Sequence, residues 1–198
     1  VISSLPKERH PSPMLSLDKT KEVGALESWL GDKEGLLSWK LDGLTIVLTY
    51  QDGKLAKAVT RGDGITGEVI TSNARVFDNI PLQIPEKKEL VIRGEAVITY
   101  ADFEEINRTI GDVDARYKNP RNLCSGTVRQ LNNEITAQRH VKFYAFSLAA
   151  GGEDFSTRQQ QLEFLQQQGF ETVEYVKVTQ HSVAEAVAEF AQKITDFP

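Results

Sequence analysis

The sequence holds a single cysteine, Cys124, among its 198 residues. One thiol cannot form an intrachain disulfide, and it is too few for a zinc site built from cysteines. A fold without such cross-links depends on its hydrophobic core, which a chain of this length is able to bury. We therefore expect a protein of the reducing cytoplasm.

Long apolar stretches are missing as well. No run approaches the roughly 20 consecutive apolar residues that a membrane helix needs, so we expect no membrane partner. The first residues, Val1 to Lys7, lack the basic start and apolar core of a signal peptide. They also lack an initiator Met, which leads us to expect an internal piece of a longer chain.

Positive charge is not in excess, because 23 Lys and Arg face 28 Asp and Glu and the net charge is −5. This balance argues against a protein that coats nucleic acid, but it is compatible with a local basic patch. The length predicts one domain with room for a small lobe. We assign residues 1–14, rich in Pro and charge, to an extended lead-in and residues 15–198 to the domain itself.

Apolar and β-branched patterns predict most of the regular structure. Strands are predicted at 36–40, 44–50, 55–60, 89–98, 141–148 and 173–178, with a hairpin turn at Asp52-Gly53. Helices are predicted over about 20–30 and 100–109, from Ser156 to Gly169, and from Ser182 onward. Residues 111–140 show little periodicity and are interpreted as a functional loop region with short helices. Because strands and helices mix without strict alternation, the α+β class with mainly antiparallel sheets is predicted.

The sharpest chemical feature is Lys40-Leu41-Asp42-Gly43, between a short strand and a long one. A lysine in a partly desolvated cleft can have its pKa lowered and act as a nucleophile toward carbonyl or phosphorus. In an extended segment Asp42 points to the same side as Lys40, where its carboxylate would orient the amine or accept its proton. The tetrapeptide alone leaves open the alternative of a surface Lys–Asp pair before a turn.

Two further motifs are ambiguous when each is taken alone. Thr60-Arg61-Gly62-Asp63-Gly64 is glycine-rich, and it would either leave backbone N–H groups for a phosphate or ribose or simply make a tight turn. Arg93-Gly94-Glu95 interrupts an otherwise apolar strand, which indicates either a ligand or a structural Arg–Glu pair.

Basic residues concentrate between positions 116 and 142. This segment holds one acid, Glu134, against these basic residues: Arg116, Lys118, Arg121, Arg129, Arg139 and Lys142. We expect it to form the basic face of an otherwise acidic domain, since its Arg, Lys and Asn side chains suit phosphate contacts. For Arg116, Lys118 and Lys142 a solvated loop surface is the preferred interpretation.

Together the motifs resemble those of bacterial NAD-dependent DNA ligases in order and approximate spacing. The resemblance is carried by Lys40 to Gly43, Thr60 to Gly64, Arg93 to Glu95, Asn119 to Asn122 and Arg129 to Leu131, after a lead-in at Pro13 to Leu17. The lysine motif is shared with ATP-dependent ligases and capping enzymes, whereas the stretch from Asn119 to Leu131 selects the NAD-dependent branch. The resemblance implies a nucleotidyltransferase-like adenylation domain of two packed, mainly antiparallel sheets with flanking helices.

The resemblance also implies the chemistry of the matched residues. Lys40 would take AMP from NAD as lysyl-AMP, and Asp42 would orient or activate that lysine. Arg61 and Glu95 match residues that contact the AMP ribose. Lys40, Asp42, Arg61 and Glu95 are therefore expected to lie together in one cleft. Mg²⁺ is expected near the phosphates, although no side-chain cluster in the sequence identifies its ligands.

Other matched residues concern adenine and DNA. Ser16 and Leu17 match a segment that lines the adenine side, and Ser38 stands where the family has a Glu that reads the adenine amino group. Arg121 and Arg129 match arginines implicated in phosphate and nicked-DNA engagement. The resemblance therefore implies nicked double-stranded DNA as the partner, with roles in DNA replication and repair, and we expect a monomer.

Some of the family's later motifs do not occur before Pro198, namely a strand with Asp-Gly and a downstream lysine. We expect an adenylation domain that is incomplete at its C-terminus and, taken alone, inactive or nearly so. Two alternatives stay open: an ATP-dependent nucleotidyltransferase of the ligase or capping type, and a non-catalytic remnant that binds nucleotide or DNA.

Overall fold

The computed structural model describes residues 5–9, 30–31, 35–38, 41–62, 65–151, 155, 157–179 and 181–193. The chain divides into two compact units. The first comprises Val1–Met14 and Leu41–Thr172, and the second comprises Leu15–Lys40 and Val173–Pro198. The predicted extended lead-in over residues 1–14 stays a prediction, because most of it lies outside the described residues.

The described residues form eight strands and six α-helices. The strands are β1 (Lys7–Arg9), β2 (Gly35–Ser38), β3 (Leu44–Gln51), β4 (Lys54–Thr60), β5 (Thr66–Glu68), β6 (Leu90–Val97), β7 (Lys142–Ala150) and β8 (Tyr175–Val178). The α-helices are α1 (Thr71–Ala74), α2 (Tyr100–Thr109), α3 (Pro120–Val128), α4 (Asn133–Gln138), α5 (Arg158–Gln167) and α6 (Val183–Lys193), with a 3-10 turn at Val113–Ala115.

A four-stranded antiparallel sheet in the order β4-β3-β6-β7 forms the centre of the first unit. Its first two strands are joined at Asp52 and Gly53, whose φ angles are 52° and 77°. Two successive positive φ angles match the right-handed twist of a hairpin, and Asp-Gly is a preferred pair for them. The hairpin predicted from the sequence is therefore confirmed.

The core of the first unit lies against one face of this sheet. Residues of β6 alternate between buried and half-buried positions, with Leu90, Ile92 and Ala96 on the buried face. The ring of Phe170 meets Tyr50 edge-on, with 5.5 Å between ring centroids. Burying each large apolar side chain contributes about 1.5–3 kcal/mol, so this face is a major source of the favourable free energy of folding.

Side-chain caps explain where several helices begin. Thr99 accepts a hydrogen bond from the backbone N–H of Asp102 at 3.2 Å, and α2 follows over the predicted residues 100–109. For α5 the cap is Thr157 rather than the predicted Ser156, and Gly169 follows the helix with a φ of 98°. Such a left-handed glycine commonly ends a helix, as the sequence predicted here.

Both edges of the four-stranded sheet are partly covered. Along β7, Arg158 Nη1 donates to the Phe146 carbonyl at 3.2 Å and Gln161 Oε1 accepts from Leu148 N at 3.2 Å. Along β4, Ala58 N donates to Thr71 Oγ1 at 3.0 Å. Strand edges expose unpaired backbone groups, and these contacts occupy several of them.

The second unit contains the antiparallel pair β2–β8, in which Ser38 lies opposite Tyr175. Leu30, Val178, Val183 and Ala186 form its small core. The strand that was predicted over 173–178 begins at Tyr175. The helix predicted over about 20–30 lies almost wholly outside the described residues.

Antiparallel sheets mixed with helices confirm the predicted α+β class. In the part of the chain that the structure describes, no helix has the length and apolar character needed to cross a membrane.

Candidate active site

The segment that enters β3 passes very close to β6 at Gly43. A Cβ atom built on Gly43 would overlap the carbonyl oxygen of Ala96 and lie 2.9 Å from Cγ1 of Val97. No side chain fits, because the nearest obstacle is backbone and cannot rotate away. The same approach lets the backbone N–H of Gly43 donate a hydrogen bond to the Glu95 carboxylate. The glycine of the lysine motif thus ties that motif to the sheet.

Glu95 lies half-buried on the face of the sheet opposite the core. Its Oε1 accepts a hydrogen bond of 2.8 Å from Thr45 Oγ1 on the neighbouring strand. Burial raises the pKa of Glu95, and the nearby Asp42 carboxylate raises it further. The hydrogen bonds from Thr45 and Gly43 and the positive charge of Arg121 oppose that rise. Glu95 is therefore an acceptor that is held by hydrogen bonds from Thr45 and Gly43 and is still partly open to solvent.

Asp42 and Arg121 lie close together beside Glu95. The Nε of Arg121 is 3.9 Å from Oδ1 of Asp42, and the two side chains are 65% and 79% exposed. An ion pair this exposed contributes little to stability, about 0–1 kcal/mol. Both groups therefore remain available to a ligand. The structure brings together Asp42 and Glu95, which were predicted for the nucleotide cleft, and Arg121, which was predicted to contact phosphate and DNA.

The start of α3 determines where Arg121 is placed. Asn119 caps the helix by accepting a hydrogen bond from Asn122 N at 2.8 Å, and Pro120 occupies the first helical position. One turn on, the buried Cys124 thiol donates to the Ala96 carbonyl at 3.2 Å. Burial raises the pKa of Cys124 to about 12. Cys124 is thus a packing residue that anchors α3 to β6.

Arg61 follows the end of β4, level with Thr45 and Glu95. Its backbone N–H donates to the Thr45 carbonyl at 2.9 Å, and Thr45 is the register partner of Glu95. Cross-strand neighbours project from the same face of a sheet. Arg61 is therefore two strand spacings from Glu95, roughly 10 Å between backbones.

Arg93 and Glu95 do not form the structural pair that was one interpretation of their motif. Glu95 bonds to Thr45, and Arg93 Nε is buried without a hydrogen-bond partner in the described structure. The intervening Gly94 has a packing reason, because a Cβ atom there would overlap the ring of Phe143. The glycine therefore belongs to the core and the charges to the opposite face.

Arg129 lies at the other end of α3 and contacts a different acid. Its Nε is 3.4 Å from Oε1 of Glu68, and the two side chains are 39% and 14% exposed. The second carboxylate oxygen of Glu68 is buried without a hydrogen-bond partner in the described structure. Arg129 is thus a half-exposed cation oriented by a nearly buried acid.

Not every basic residue of the predicted face projects into solvent. Arg139 Nη1 donates to Thr127 Oγ1 at 3.0 Å, and its guanidinium lies 5.5 Å from the centroid of the Tyr117 ring. Arg116 is exposed, and its Nε donates to the Ile110 carbonyl at 3.0 Å. Arg139 therefore holds the fold locally, and Arg121 and Arg129 are the better candidates for ligand contact.

Several residues predicted for the site are not among the described residues that surround Glu95. Lys40, Ser16 and Leu17 lie outside the described residues. Ser38 is an exposed residue at the end of β2 in the second unit. The predictions for these residues, including a shared cleft around Lys40, stay predictions.

The sequence did not single out Thr45 or Glu68. Thr45 was included only as one residue of a strand, and its contact with Glu95 depends on a register between strands that are 50 residues apart. Glu68 lies four positions after the glycine-rich motif, and its carboxylate next to Gly67 was the available signal. In the described part of the chain, no group of three or more His, Cys, Asp or Glu could hold a metal ion.

Replacing Thr45 with Val should lower stability by about 1 kcal/mol near pH 7, because Glu95 loses a hydrogen-bond donor. The folded-state pKa of Glu95 is raised, so the folded state binds more protons than the unfolded state between the two pKa values. Glu95 therefore lowers stability as pH rises through that window. Thr45→Val raises the folded-state pKa of Glu95 further. The difference in unfolding free energy between the variant and wild type should therefore shrink as the pH falls toward about 3.5, where Glu95 is protonated.

Urea unfolding at both pH values measures this effect. In a Glu95→Gln background, Thr45→Val should lose its pH dependence, since the titrating group is gone. A difference from wild type that is equal at both pH values would show that Thr45 does not act on the Glu95 carboxylate.

Comparison with known proteins shows which family this chain resembles. A family model described as the NAD-dependent DNA ligase adenylation domain matches residues 2–197. A protein named DNA ligase from Lachnoclostridium phytofermentans is 61% identical over the whole of this chain, and one from Ruminiclostridium cellulolyticum is 58% identical. The chain spans 31% of the length of each of these two relatives.

More distant proteins agree with this match. A protein named DNA ligase from Campylobacter hominis is 35% identical over 90% of this chain and is covered over 28% of its own length. A solved structure titled Pmar-Lig_Pre. superposes with a TM-score of 0.54 at 14% identity, covering 93% of this chain and 40% of that one. At that identity the superposition supports the fold alone.

Proposed function

Because the chain belongs to the family of NAD-dependent DNA ligase adenylation domains, we propose that it takes AMP from NAD onto Lys40. The AMP then passes to the 5′-phosphate at a DNA nick, and attack by the 3′-OH joins the strands and releases AMP. The two most similar relatives named above are about three times as long as this chain. We therefore propose that it acts as one domain of a longer ligase.

The proposed first step is a phosphoryl transfer to nitrogen. The neutral Lys40 amine attacks the α-phosphorus of NAD, and a P–N bond forms as the P–O bond to nicotinamide mononucleotide breaks. The leaving group departs with the electron pair, and the amine proton passes to a base, a role that we assign to Asp42. Such transfers depend mainly on alignment and charge stabilisation, which fixed side chains can supply.

The observation that best supports this proposal is the arrangement around Glu95. Its carboxylate is held by Thr45 and Gly43 beside Asp42 and Arg121. A fixed, half-buried acceptor suits a ribose hydroxyl, since a hydroxyl donates well to a carboxylate. We propose that Glu95 and Arg61 contact the ribose, with Ser16, Leu17 and Ser38 on the adenine side.

Formation of the covalent intermediate tests the proposal. The full-length enzyme should gain the mass of one AMP when incubated with NAD and Mg²⁺, and peptide mapping should locate it at Lys40. ATP in place of NAD should give no adduct. An adduct that forms only with ATP would support the ATP-dependent alternative, and no adduct with either nucleotide would support the non-catalytic one.

Magnesium is expected to accompany the NAD phosphates, because Mg²⁺ is commonly bound through one or two carboxylates together with substrate phosphates. The described residues do not offer a ready-made cluster for it. We therefore assign no protein ligand to the ion. We further propose that the enzyme is a cytoplasmic monomer that binds nicked double-stranded DNA.

Arg121→Ala should weaken the binding of nicked DNA by the full-length enzyme several-fold. It should also reduce the slope of log affinity against log salt by about one, because one phosphate contact is lost. The exposed pair with Asp42 restrains Arg121 only weakly. Affinity measured over a salt series gives both quantities.

Arg108→Ala is the matched control for this prediction. Arg108 is 71% exposed and is paired with Glu105 on α2, outside the 116–142 segment. Its removal should change neither affinity nor salt slope. Equal behaviour of Arg121→Ala and Arg108→Ala would exclude Arg121 from the DNA-binding surface.

A further inference from the structure

Asn73 is a buried amide whose partners all lie in other helices or in the loop between them. The residue sits in α1 and is 1% exposed. Its Nδ2 donates to the carbonyl of Val128 at 2.6 Å and to that of Gln130 at 2.8 Å. Its Oδ1 accepts from Thr136 Oγ1 at 2.9 Å. A single side chain thus joins α1 to α4 and to the end of α3.

The two carbonyls that Asn73 binds flank Arg129. Val128 is the last residue of α3, and Arg129 forms the C-cap. Carbonyl groups in the last turn of a helix have no partner within the helix and need one from elsewhere. Here the amide of Asn73 supplies it on both sides of Arg129. The backbone on each side of Arg129 is therefore tied to Asn73 by a hydrogen bond.

A second polar residue supports the same turn. Thr136 of α4 is fully buried, and its hydroxyl lies 3.0 Å from the Thr127 carbonyl as well as bonding to Asn73. Burying polar groups is costly unless they are hydrogen-bonded, and these groups satisfy one another. Asn73 and Thr136 therefore form one clamp around residues 127–130.

The side chain of Arg129 is oriented from the same stretch of chain. Glu68 in β5 lies 3.4 Å from the Nε of Arg129 and precedes Asn73 by five positions. The segment from Glu68 to Asn73 therefore contacts Arg129 twice, once at its guanidinium and once around its backbone. A guanidinium held in this way and still 39% exposed is preorganised for an anion.

We propose that Asn73 is a positioning residue for Arg129, holding the end of α3 so that the guanidinium meets a DNA phosphate. The inference rests on the proposed function, in which Arg129 contacts the nicked duplex. It assigns no contact with substrate to Asn73 itself. Thr136 acts in the same way, through Asn73.

A double-mutant cycle in the full-length enzyme tests the proposal. Asn73→Asp keeps the shape of the side chain and removes the donor to both carbonyls. It should weaken binding of a nicked duplex about tenfold and lower the salt slope by about one, as Arg129→Ala does. In an Arg129→Ala background, Asn73→Asp should cause no further loss. Thr136→Val, which keeps the side-chain volume, should also weaken DNA binding and lower the salt slope. It replaces Asn73→Asp in the double-mutant cycle if that variant does not fold.

The control is a second amide that bonds to backbone elsewhere in the same unit. Asn79 donates to the Phe143 carbonyl at 2.9 Å and accepts from Phe143 N at 2.7 Å, away from α3. Asn79→Asp should lower the melting temperature and leave the salt slope unchanged. Equal losses from Asn73→Asp with and without Arg129 would overturn the inference. If Arg129→Ala alone changes nothing, the proposed DNA contact of Arg129 is wrong instead.

Discussion

Lys40→Arg in the full-length enzyme should abolish the AMP adduct while the protein stays folded. The expected loss is roughly 10⁴-fold or more, as for removal of a covalent nucleophile in other enzymes. Arginine keeps the positive charge but cannot be deprotonated at accessible pH, so it offers no lone pair to phosphorus. Intact-mass measurement after incubation with NAD gives the labelled fraction over time.

Two further variants serve as controls for this loss of labelling. Lys40→Ala should give the same loss of labelling. Because Lys40→Arg keeps the positive charge and Lys40→Ala does not, equal losses would show that the reaction needs the nucleophile and that the charge alone is not enough. Lys54→Arg, at an exposed position in the hairpin, should label like wild type. Labelling of Lys40→Arg at the wild-type rate would place the nucleophile elsewhere in the enzyme.

Gly43→Ala should destabilise the chain by roughly 3 kcal/mol or more, at the upper end for a single methyl group. The added Cβ would overlap the Ala96 carbonyl oxygen, so β3 and β6 would have to separate at the point where they carry the site. The displaced backbone would also withdraw the N–H that Gly43 donates to Glu95. One substitution therefore damages both the sheet and the proposed ribose acceptor.

The matched control for this substitution is Gly111→Ala. A Cβ atom at Gly111 would meet no heavy atom within 4 Å, and its φ is not in the positive range. Its effect should be small, and replacing this glycine could even stabilise by restricting the unfolded chain. The midpoints of urea unfolding measure the stability of both variants, provided that the dependence of the unfolding free energy on urea concentration is unchanged. Midpoints that fall together would show that the close approach at Gly43 is not a constraint.

Local rules were enough to predict much of the fold. The positive φ angles at Asp52 and Gly53 and the cap at Thr99 depend on residues within three positions of one another. The strand Leu90–Val97 was predicted over 89–98 from the apolar residues of that segment alone. The short helix α1 was missed, because Thr71–Ala74 forms a single turn without a side-chain cap.

The candidate site was predictable as a set of motifs and less so as a set of contacts. Asp42, Glu95 and Arg121 were singled out and lie together. The contact between Thr45 and Glu95 was not, because strand register is a property of the whole sheet. The position of Lys40 beside these residues stays a prediction.

Charge composition also failed to distinguish two kinds of arginine. Arg139 and Arg129 belong to the same basic segment, yet Arg139 packs on the Tyr117 ring and bonds to Thr127. That difference depends on which residues the fold brings beside each guanidinium. A count of charges along the chain carries no such information.

The contacts along the outer strands of the four-stranded sheet bear on self-association. An open strand edge can template the addition of a strand from another molecule, which begins domain swapping or amyloid growth. On β7 two of the groups that such a strand would need are already occupied by Arg158 and Gln161. Both of these side chains come from α5, whereas Asn79 occupies both backbone groups of Phe143 and the Glu171 carbonyl accepts from Ala145 N. Fraying of α5 would therefore open the β7 edge to a foreign strand only around Phe146 and Leu148.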